Sequence, residues 1–418
     1  MTRKKKMHNK HSTRVAVAAL GATLLAALTA CAGTASAESA PASSTPAAAE
    51  TTDHADHAHT HAESGRVVVT YENGIAVLDP HTLEPLAEIP TEAFTRVNSF
   101  GDGRTVAVTT TEGFRFLDTA EGVLADPLVP ATAAGHVVVH DGKTVLFDDG
   151  TGTTTVFDTG AFDAGYDALP ASTSYTAPAA HHGVSIVLSD GTLLTTVGDE
   201  SGRTGAVALA AKGDSWEEIA ITDQCPGIHG EGTAQNEAVV FGCENGALVY
   251  SQGAFEKLTA PDAYGRMGNA FVSETSPIVV GDYKNDPDAE GYLLEAVTLI
   301  DTEKGEYRVV PLPDNVRYTF RDIARGPDDL AYILSTDGQI HVLDPENGEI
   351  LRAFSVVAPW QGPAQWQDPH PAIKVDGDIA YVTEPATRAV HAVDLASGET
   401  IATTTLDHAP NELAVASD

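Results

Sequence analysis

A repeat of about 44 residues constrains the fold of this chain more than any other feature. From residue 66 onward, short alternating apolar runs are broken by Gly, Asp, Asn and Pro, and no long helical period occurs. The repeat is clearest in "NGIAVLDPHTLEPLAEI" (73–89), "GQIHVLDPENGEILRAF" (338–354) and "RAVHAVDLASGETIATT" (388–404). In each segment a strand ends in an apolar residue and Asp, a tight turn follows, and a second strand begins.

A second pair of strands precedes that hairpin in each unit, as in "HVVVHDGKTVLFDDG" and "EAVVFGCENGALVY". Four strands in a unit of this length are the signature of a β-propeller blade. We therefore predict an all-β fold, a β-propeller of about eight four-stranded blades over residues 66–418. Seven blades remain open if the irregular stretches 190–225 or 255–300 do not form complete units.

The two ends of the repeat region are each incomplete. Residues 66–90 lack a first strand, whereas "PNELAVA" (410–416) is a strand without followers. Pairing of these N- and C-terminal strands in one blade closes the ring and removes exposed sheet edges.

Histidines recur at one point of the repeat, just before the first strand of a blade. Because that innermost strand lines the central channel, residues at this point lie around one channel mouth. Five of the eight units carry histidine there, namely His136, His182 (preceded by His181), His229, His370 and His408. The other three units carry Asn98, Asn269 and Arg321.

This recurrence predicts a zinc site, because imidazole is the commonest zinc ligand and a site needs three or four donors. His136, His182 and His229 come from consecutive units, so ring geometry brings them together. His370 and His408 also come from adjacent units and are predicted to form a second site with Asp368 or Asp407. The alternative for any one of these histidines is a hydrogen bond across the channel through water.

The stretch "CPGIHGEGTAQNEAVVFGC" (225–243) is the most specific part of the predicted site. Glu231 is expected to be a fourth donor, an acceptor that orients the His229 ring, or only a cap of the turn. Cys225 and Cys243 are an even pair in an exported chain, which favours a disulfide over two thiolates on a metal.

The first 31 residues are typical of an export signal, with Arg3 and three lysines followed by a short apolar run. "LTAC" (28–31) predicts a lipoprotein signal peptide with lipid attached to Cys31, so the protein is expected on the cell surface. The alternative is cleavage near "ASA" (35–37) and a periplasmic or secreted protein. Either route places the mature chain outside the cytoplasm.

Residues 32–65 are rich in Ala, Ser, Thr and Pro, and this composition predicts a disordered tether. Within it, "HADHAHTHAE" carries His54, His57, His59 and His61, which are expected to capture a divalent cation loosely. The alternative is a surface tract without function. The formal charge of −35 excludes nucleic acid as a plausible partner.

The chain resembles the AztD-type zinc metallochaperones, exported β-propellers that serve zinc-uptake ABC transporters. The resemblance rests on the export signal, the His/Asp-rich tail at 53–61, "CPGIHGEG" with Cys243 downstream, "DPHPAI" and "DHAPNELAV". It implies Zn²⁺ binding by propeller histidines and transfer to the zinc-specific solute-binding protein of the transporter, by a monomer that touches the membrane only through its lipid anchor. The lipobox departs from the periplasmic members of the family.

Two other functions compete with this one. The first is a metal-dependent hydrolase or lactonase, which needs an open coordination position and a nearby general base. No G-x-S-x-G nucleophile motif occurs in the chain, and we expect no enzymatic activity. The second is a protein-interaction module that binds across the channel mouth and has no use for the histidines as ligands.

Overall fold

A computed structural model describes residues 65–213 and 215–416. These residues form eight sheets, and each is a blade built on four antiparallel strands, as predicted. Val, Ile, Thr and aromatic residues dominate the strands because their branched or flat side chains pack well on a pleated surface. In the described part of the chain, helical structure is limited to three short 3₁₀ turns, at Thr159–Phe162, Gln235–Glu237 and Pro327–Asp329.

Blades are numbered here from the first complete unit, and each runs from its innermost to its outermost strand. Strands β1 to β3 belong to the closing blade. Blade 1 consists of β4 (Arg96–Ser99), β5 (Thr105–Thr110), β6 (Gly113–Asp118) and β7 (Val123–Pro130), and blade 2 of β8 (Ala134–His140), β9 (Lys143–Asp148), β10 (Thr153–Asp158) and β11 (Thr173–Thr176). Blade 3 consists of β12 (Ser185–Val187), β13 (Leu193–Asp199), β14 (Gly202–Lys212) and β15 (Ser215–Thr222), and blade 4 of β16 (His229–Ala234), β17 (Ala238–Cys243), β18 (Asn245–Ser251) and β19 (Ala254–Thr259).

In blade 4 a further short strand, β20 (Gly265–Arg266), pairs with β18 in parallel. Blade 5 consists of β21 (Ala270–Phe271), β22 (Ile278–Tyr283), β23 (Ala296–Asp301) and β24 (Glu306–Pro311). Blade 6 consists of β25 (Ile323–Arg325), β26 (Ala331–Leu334), β27 (Gln339–Asp344) and β28 (Glu349–Ser355). Blade 7 consists of β29 (Ile373–Asp376), β30 (Ile379–Glu384), β31 (Ala389–Asp394) and β32 (Thr400–Thr405).

Blade 8 joins the two ends of the repeat region. Its innermost strand is β33 (Leu413–Val415), and its other three strands are β1 (Val67–Tyr71), β2 (Gly74–Leu78) and β3 (Pro85–Pro90). β33 pairs with β1 in antiparallel register, with Leu413 opposite Val69. Backbone hydrogen bonds of Thr70 with Glu412 (2.9 Å) and Asn411 (2.7 Å) extend the pairing. The predicted closure is confirmed.

The outer hairpins follow the Asp-turn pattern of the repeat. In blade 5, one carboxylate oxygen of Asp301 accepts hydrogen bonds from the backbone N–H groups of Glu303 (3.1 Å) and Lys304 (2.9 Å). Gly305 then takes a left-handed conformation (φ 66°), which favours glycine. In blade 8 this position is occupied by Leu83, which keeps the positive φ (58°) and is fully buried.

The core lies between neighbouring blades. One cluster of buried side chains spans the three blades that carry His136, His182 and His229, and includes Val145, Ile186, Leu209 and Phe241. Close packing of this kind resists displacement of one blade against the next. The three histidine-bearing blades therefore form a rigid support for the channel mouth. In the described residues, no helix is long and apolar enough to cross a membrane.

Candidate metal centre

Three of the predicted histidines meet at one mouth of the channel. The rings of His136, His182 and His229 have centroids 5.3, 5.2 and 5.0 Å apart in the three pairs. One ligand nitrogen of each lies within 4.8 Å of the other two. We call these three residues the His cluster. It is the only group of three or more His, Cys, Asp or Glu donors at this spacing within residues 65–213 and 215–416.

His229 is positioned by a bulge at the start of β16. The register of β16 on β17 shifts between His229 and Glu231, and Gly230 between them has φ 59°. A Cβ at Gly230 would lie 2.4 Å from the carbonyl oxygen of Gly268, so only glycine fits here. That carbonyl accepts a hydrogen bond from His229 Nδ1 at 2.5 Å. With its proton on Nδ1, His229 presents the lone pair of Nε2 to a metal.

The backbone on either side of the Gly268 carbonyl is itself held by the buried carboxylate of Asp282. Asp282 Oδ1 accepts hydrogen bonds from the backbone N–H of Gly268 (2.5 Å) and of Asn269 (3.1 Å), and Oδ2 accepts one from the Asn269 side chain (2.7 Å). Blade 5 therefore fixes the orientation of a ligand that belongs to blade 4.

His182 is oriented by Asp149 of the preceding blade. Its Nδ1 lies 2.5 Å from Asp149 Oδ2, while Asp149 Oδ1 accepts the N–H of Gly183 at 3.1 Å. The sequence prediction did not include Asp149. The signal was the double Asp in "FDDG". Asp148 already accepts the backbone N–H of Gly150 in its own turn and that of Ala133 before β8, which leaves the carboxylate of Asp149 for another partner.

The predicted disulfide between Cys225 and Cys243 is present, with Cα atoms 5.0 Å apart. It joins the loop before β16 to the end of β17, where Gly242 pairs with His229. Both sulfur atoms are buried. The disulfide thus ties the loop that delivers His229 to the sheet that supports it.

The His cluster is a site for neutral imidazoles. Burial, together with the neighbouring rings of His229 and His182, lowers the pKa of His136 well below its usual value. Burial also lowers the pKa of His229 to about 3, and Arg266 and Arg203 act in the same direction. A neutral imidazole has the free lone pair that a metal requires, so these two residues need not lose a proton to bind.

The cluster can hold a zinc ion after a small movement of the rings. Zn–N bonds of about 2.0–2.1 Å in a tetrahedron place the ligand nitrogens about 3.4 Å apart. The present separations, at most 4.8 Å, exceed this by an amount that side-chain rotation supplies. His182 is 43% exposed, whereas His136 and His229 are half-buried, so a cation reaches the site from the His182 side.

His370 does not join a second cluster with His408. It is buried, its Nε2 accepts a hydrogen bond from Arg321 Nε (3.1 Å), and its Nδ1 donates to the carbonyl of Asp368 (2.7 Å). Both ring nitrogens are engaged and a permanent cation lies against the ring. Burial and Arg321 together lower the pKa of His370 to about 4.

His408 and His181 also lie apart from the His cluster. The exposed His408 ring stacks on Tyr71, with centroids 4.6 Å apart. His181 is buried, and its ring bonds Ala179 and Thr196 at 3.0–3.1 Å.

Glu231 lies close to the His cluster in sequence but is not one of its donors. The ring of His229 that it was predicted to orient is held by Gly268 instead. Burial raises the pKa of Glu231 to about 7, and its side chain faces the channel. The tail histidines His54, His57, His59 and His61, and Cys31, lie outside the described residues.

The low pKa of His229 predicts how the stability of the metal-free protein depends on pH. Its folded pKa is depressed below the unfolded value, so its contribution is complete above about pH 6.5 and is lost as pH falls toward the folded pKa. The contribution of Glu231 to stability has the opposite pH dependence. Because its pKa is raised in the folded state, the contribution is complete below its ordinary pKa of 4.5 and is lost as pH rises through about 7. We expect the free energy of unfolding to fall by about 1–2 kcal/mol more in the wild type than in His229→Gln between pH 7 and pH 5.

Urea unfolding of both proteins at the two pH values measures this difference. His81→Gln, which removes an exposed imidazole from an outer turn, is the control and should match the wild type. An equal pH dependence in wild type and His229→Gln would show that His229 titrates normally.

No protein-family model matches the chain. The zinc chaperone AztD of Citrobacter koseri is 23% identical over 265 residues, which span 63% of this chain and 61% of that protein. Solved structures of Citrobacter koseri AztD, one of them in the apo state, superpose with a TM-score of 0.69 at 19% identity and cover 84% of this chain and 97% of theirs.

A second fold relative shows that the architecture alone does not decide the chemistry. The dihydro-haem d1 dehydrogenase NirN, in complex with DHE, superposes with a TM-score of 0.57 at 14% identity, covering 84% of this chain and 74% of its own. AztD superposes on this chain with the higher TM-score of the two, and it is also the protein that matches in sequence. The chain is thus similar to AztD in sequence over 265 residues, and the solved AztD structures share its β-propeller fold.

Proposed function

We propose that this protein is a zinc metallochaperone, which captures Zn²⁺ outside the cytoplasm and passes it to the solute-binding protein of a zinc ABC transporter. One observation carries the proposal: three imidazoles from three consecutive blades offer ligand atoms within 4.8 Å of one another. The name of the relative, zinc chaperone, supports the choice of metal and role.

The orientation of the rings favours metal binding over a purely structural role. The hydrogen bonds of His229 to Gly268 and of His182 to Asp149 both use Nδ1, which leaves Nε2 of each ring for a ligand bond. Carboxylate and carbonyl partners of this kind fix the tautomer and raise the basicity of a ligating imidazole.

Three ligands suit transfer better than a closed site. A zinc ion held by three imidazoles keeps a fourth position at which a ligand of the partner can enter. Exchange then starts at exposed His182 and proceeds one ligand at a time, so that no free ion is released. Nearby Arg203 and Arg266 oppose a bound cation, which favours its release to a partner site without them.

The N-terminal tail and the export signal complete the proposal. His54, His57, His59 and His61, placed among acids, supply loose capture ahead of the His cluster. Lipidation of Cys31 would hold the chain at the membrane surface as a monomer. The Cys225–Cys243 disulfide supports an oxidising, extracytoplasmic compartment.

This function differs from zinc-dependent hydrolysis in what surrounds the open position. A hydrolase places a general base beside the metal-bound water. Among the described residues, no carboxylate belongs to the His cluster, and Asp149 is engaged with the far nitrogen of His182. These contacts support a binding and delivery role without catalysis.

Replacing His136, His182 and His229 together with Ala is expected to weaken tight Zn²⁺ binding at least about 100-fold, because no other described cluster can substitute. Calorimetric titration at pH 7 measures the affinity, and circular dichroism checks that the β-rich fold persists. The control is the double variant His81→Ala/His408→Ala, which removes two imidazoles outside the His cluster. Full affinity in the triple variant would place the site elsewhere, and turnover of ester or lactone substrates by the wild type would favour the hydrolase.

Deletion of residues 52–62 is expected to slow zinc loading and transfer by several-fold while the affinity of the His cluster changes little. The reason is that donors in the tail would raise the local supply of cation without adding ligands to the fixed site. Stopped-flow transfer to a zinc-specific solute-binding protein measures the rate. A full-length variant with Ser in place of His54, His57, His59 and His61 separates the loss of ligands from the loss of the acidic segment. Unchanged rates in both variants would show that the tail has no part in delivery.

A further inference from the structure

A cavity of about 280 Å³ occupies the channel, and seven of the eight innermost strands contribute to its wall. His136 lines one part of it, so the cavity adjoins the His cluster. This volume exceeds that of several water molecules and accommodates a small ion with its hydration.

The charges that line the cavity are unusual for this chain. It carries 59 acidic and 24 basic residues, yet the cavity wall has three cations, Arg96, Arg321 and Lys374, against two carboxylates, Glu231 and Glu412. The cavity therefore has a positive excess inside a strongly negative molecule.

Arg321 and Glu412 satisfy one another. Arg321 Nη1 donates to Glu412 Oε1 at 3.2 Å and to Asn411 at 2.8 Å, and its other nitrogens bond His370 and backbone carbonyls. Arg96 Nε lies 3.9 Å from the same Glu412 oxygen, is buried, and has no hydrogen-bond partner. One carboxylate is thus shared between two guanidinium groups.

Lys374 is the third cation of the cavity wall, and it forms no ion pair with a described residue. Its side chain leaves β29 toward the cavity, and no acceptor in the described part of the chain lies within hydrogen-bonding distance of its ammonium. Lys374 is an exposed residue, and partial loss of hydration lowers its pKa. An accessible ammonium with no acceptor among the described residues can donate its N–H groups to an entering anion.

We propose that this cavity binds a small oxyanion, of the phosphate or short-chain carboxylate class, between Lys374 and Arg96. Both groups offer N–H donors that no described residue accepts, and oxyanions present several acceptor oxygens to such donors. The anion neutralises the positive excess of the channel. This site is separate from zinc binding, since neither Lys374 nor Arg96 belongs to the His cluster.

The test is calorimetric titration of the metal-free mature protein with sodium phosphate, sodium succinate and sodium chloride. The protein is prepared without EDTA or citrate, because carboxylate chelators are themselves candidate ligands. We expect one-site binding of phosphate or succinate and none of chloride, and the stronger of the two identifies the source of the oxyanion.

Lys374→Met should weaken that binding at least about tenfold, whereas Lys374→Arg, which keeps a donor cation, should retain it within about threefold. Lys212→Met is the matched control, because it removes the same charge from an exposed ion pair between Lys212 in β14 and Glu217 in β15. Zinc affinity is measured on every variant and should not change, so failure of this proposal is distinguishable from failure of the zinc function.

Equal oxyanion affinity in the wild type and Lys374→Met, or no binding of either oxyanion by the wild type, overturns the proposal. If Lys374→Met does not fold, a wild-type crystal soaked in selenate decides the matter. An anomalous peak between Lys374 and Arg96 supports the site, and a map without one there contradicts it.

Discussion

The pairing of β33 with β1 is the interaction on which the rest of the structure depends. A propeller blade buries its faces only against neighbouring blades, so an open ring would expose two apolar faces and two sheet edges. The main-chain hydrogen bonds between residues 66–70 and 411–416 remove both problems at once. Closure also gives all the innermost strands a common axis. Residues about 46 positions apart in sequence, such as His136 and His182, become neighbours for this reason.

Once the ring is closed, two histidines of the cluster, His182 and His229, are oriented by residues of adjoining blades. Asp149 of blade 2 holds His182 at the start of blade 3, and the loop before blade 5 holds His229 of blade 4. The site is therefore a property of blade interfaces rather than of any one blade. In the proposed zinc site, such an arrangement would combine oriented ligands with an accessible position for a ligand of the partner.

The sequence predicted the features that follow from period and local chemistry. The Asp-turn hairpins, the number of blades, the terminal closure and the disulfide all depend on residue type at a repeated position, and the structure has them. The same register placed His136, His182 and His229 correctly at one mouth. Register does not determine where a side chain turns, however. His370 occupies the equivalent position, but its ring pairs with Arg321, itself a residue of that register.

The contacts that orient the cluster were not accessible from sequence for a similar reason. The Gly268 carbonyl acts through its backbone, and its placement depends on buried Asp282 far along the next blade. Lys374 lies inside a strand, where alternation alone does not distinguish the channel from the outer surface. In each case the deciding information is a three-dimensional approach between blades, which a one-dimensional repeat does not contain.

The most direct test of the account is an anomalous difference map, recorded at the zinc absorption edge, from crystals of the mature protein loaded with one equivalent of Zn²⁺. The account predicts a single strong peak that lies about 2.0–2.1 Å from one ring nitrogen of each of His136, His182 and His229. A peak elsewhere, or none between these rings, would contradict it.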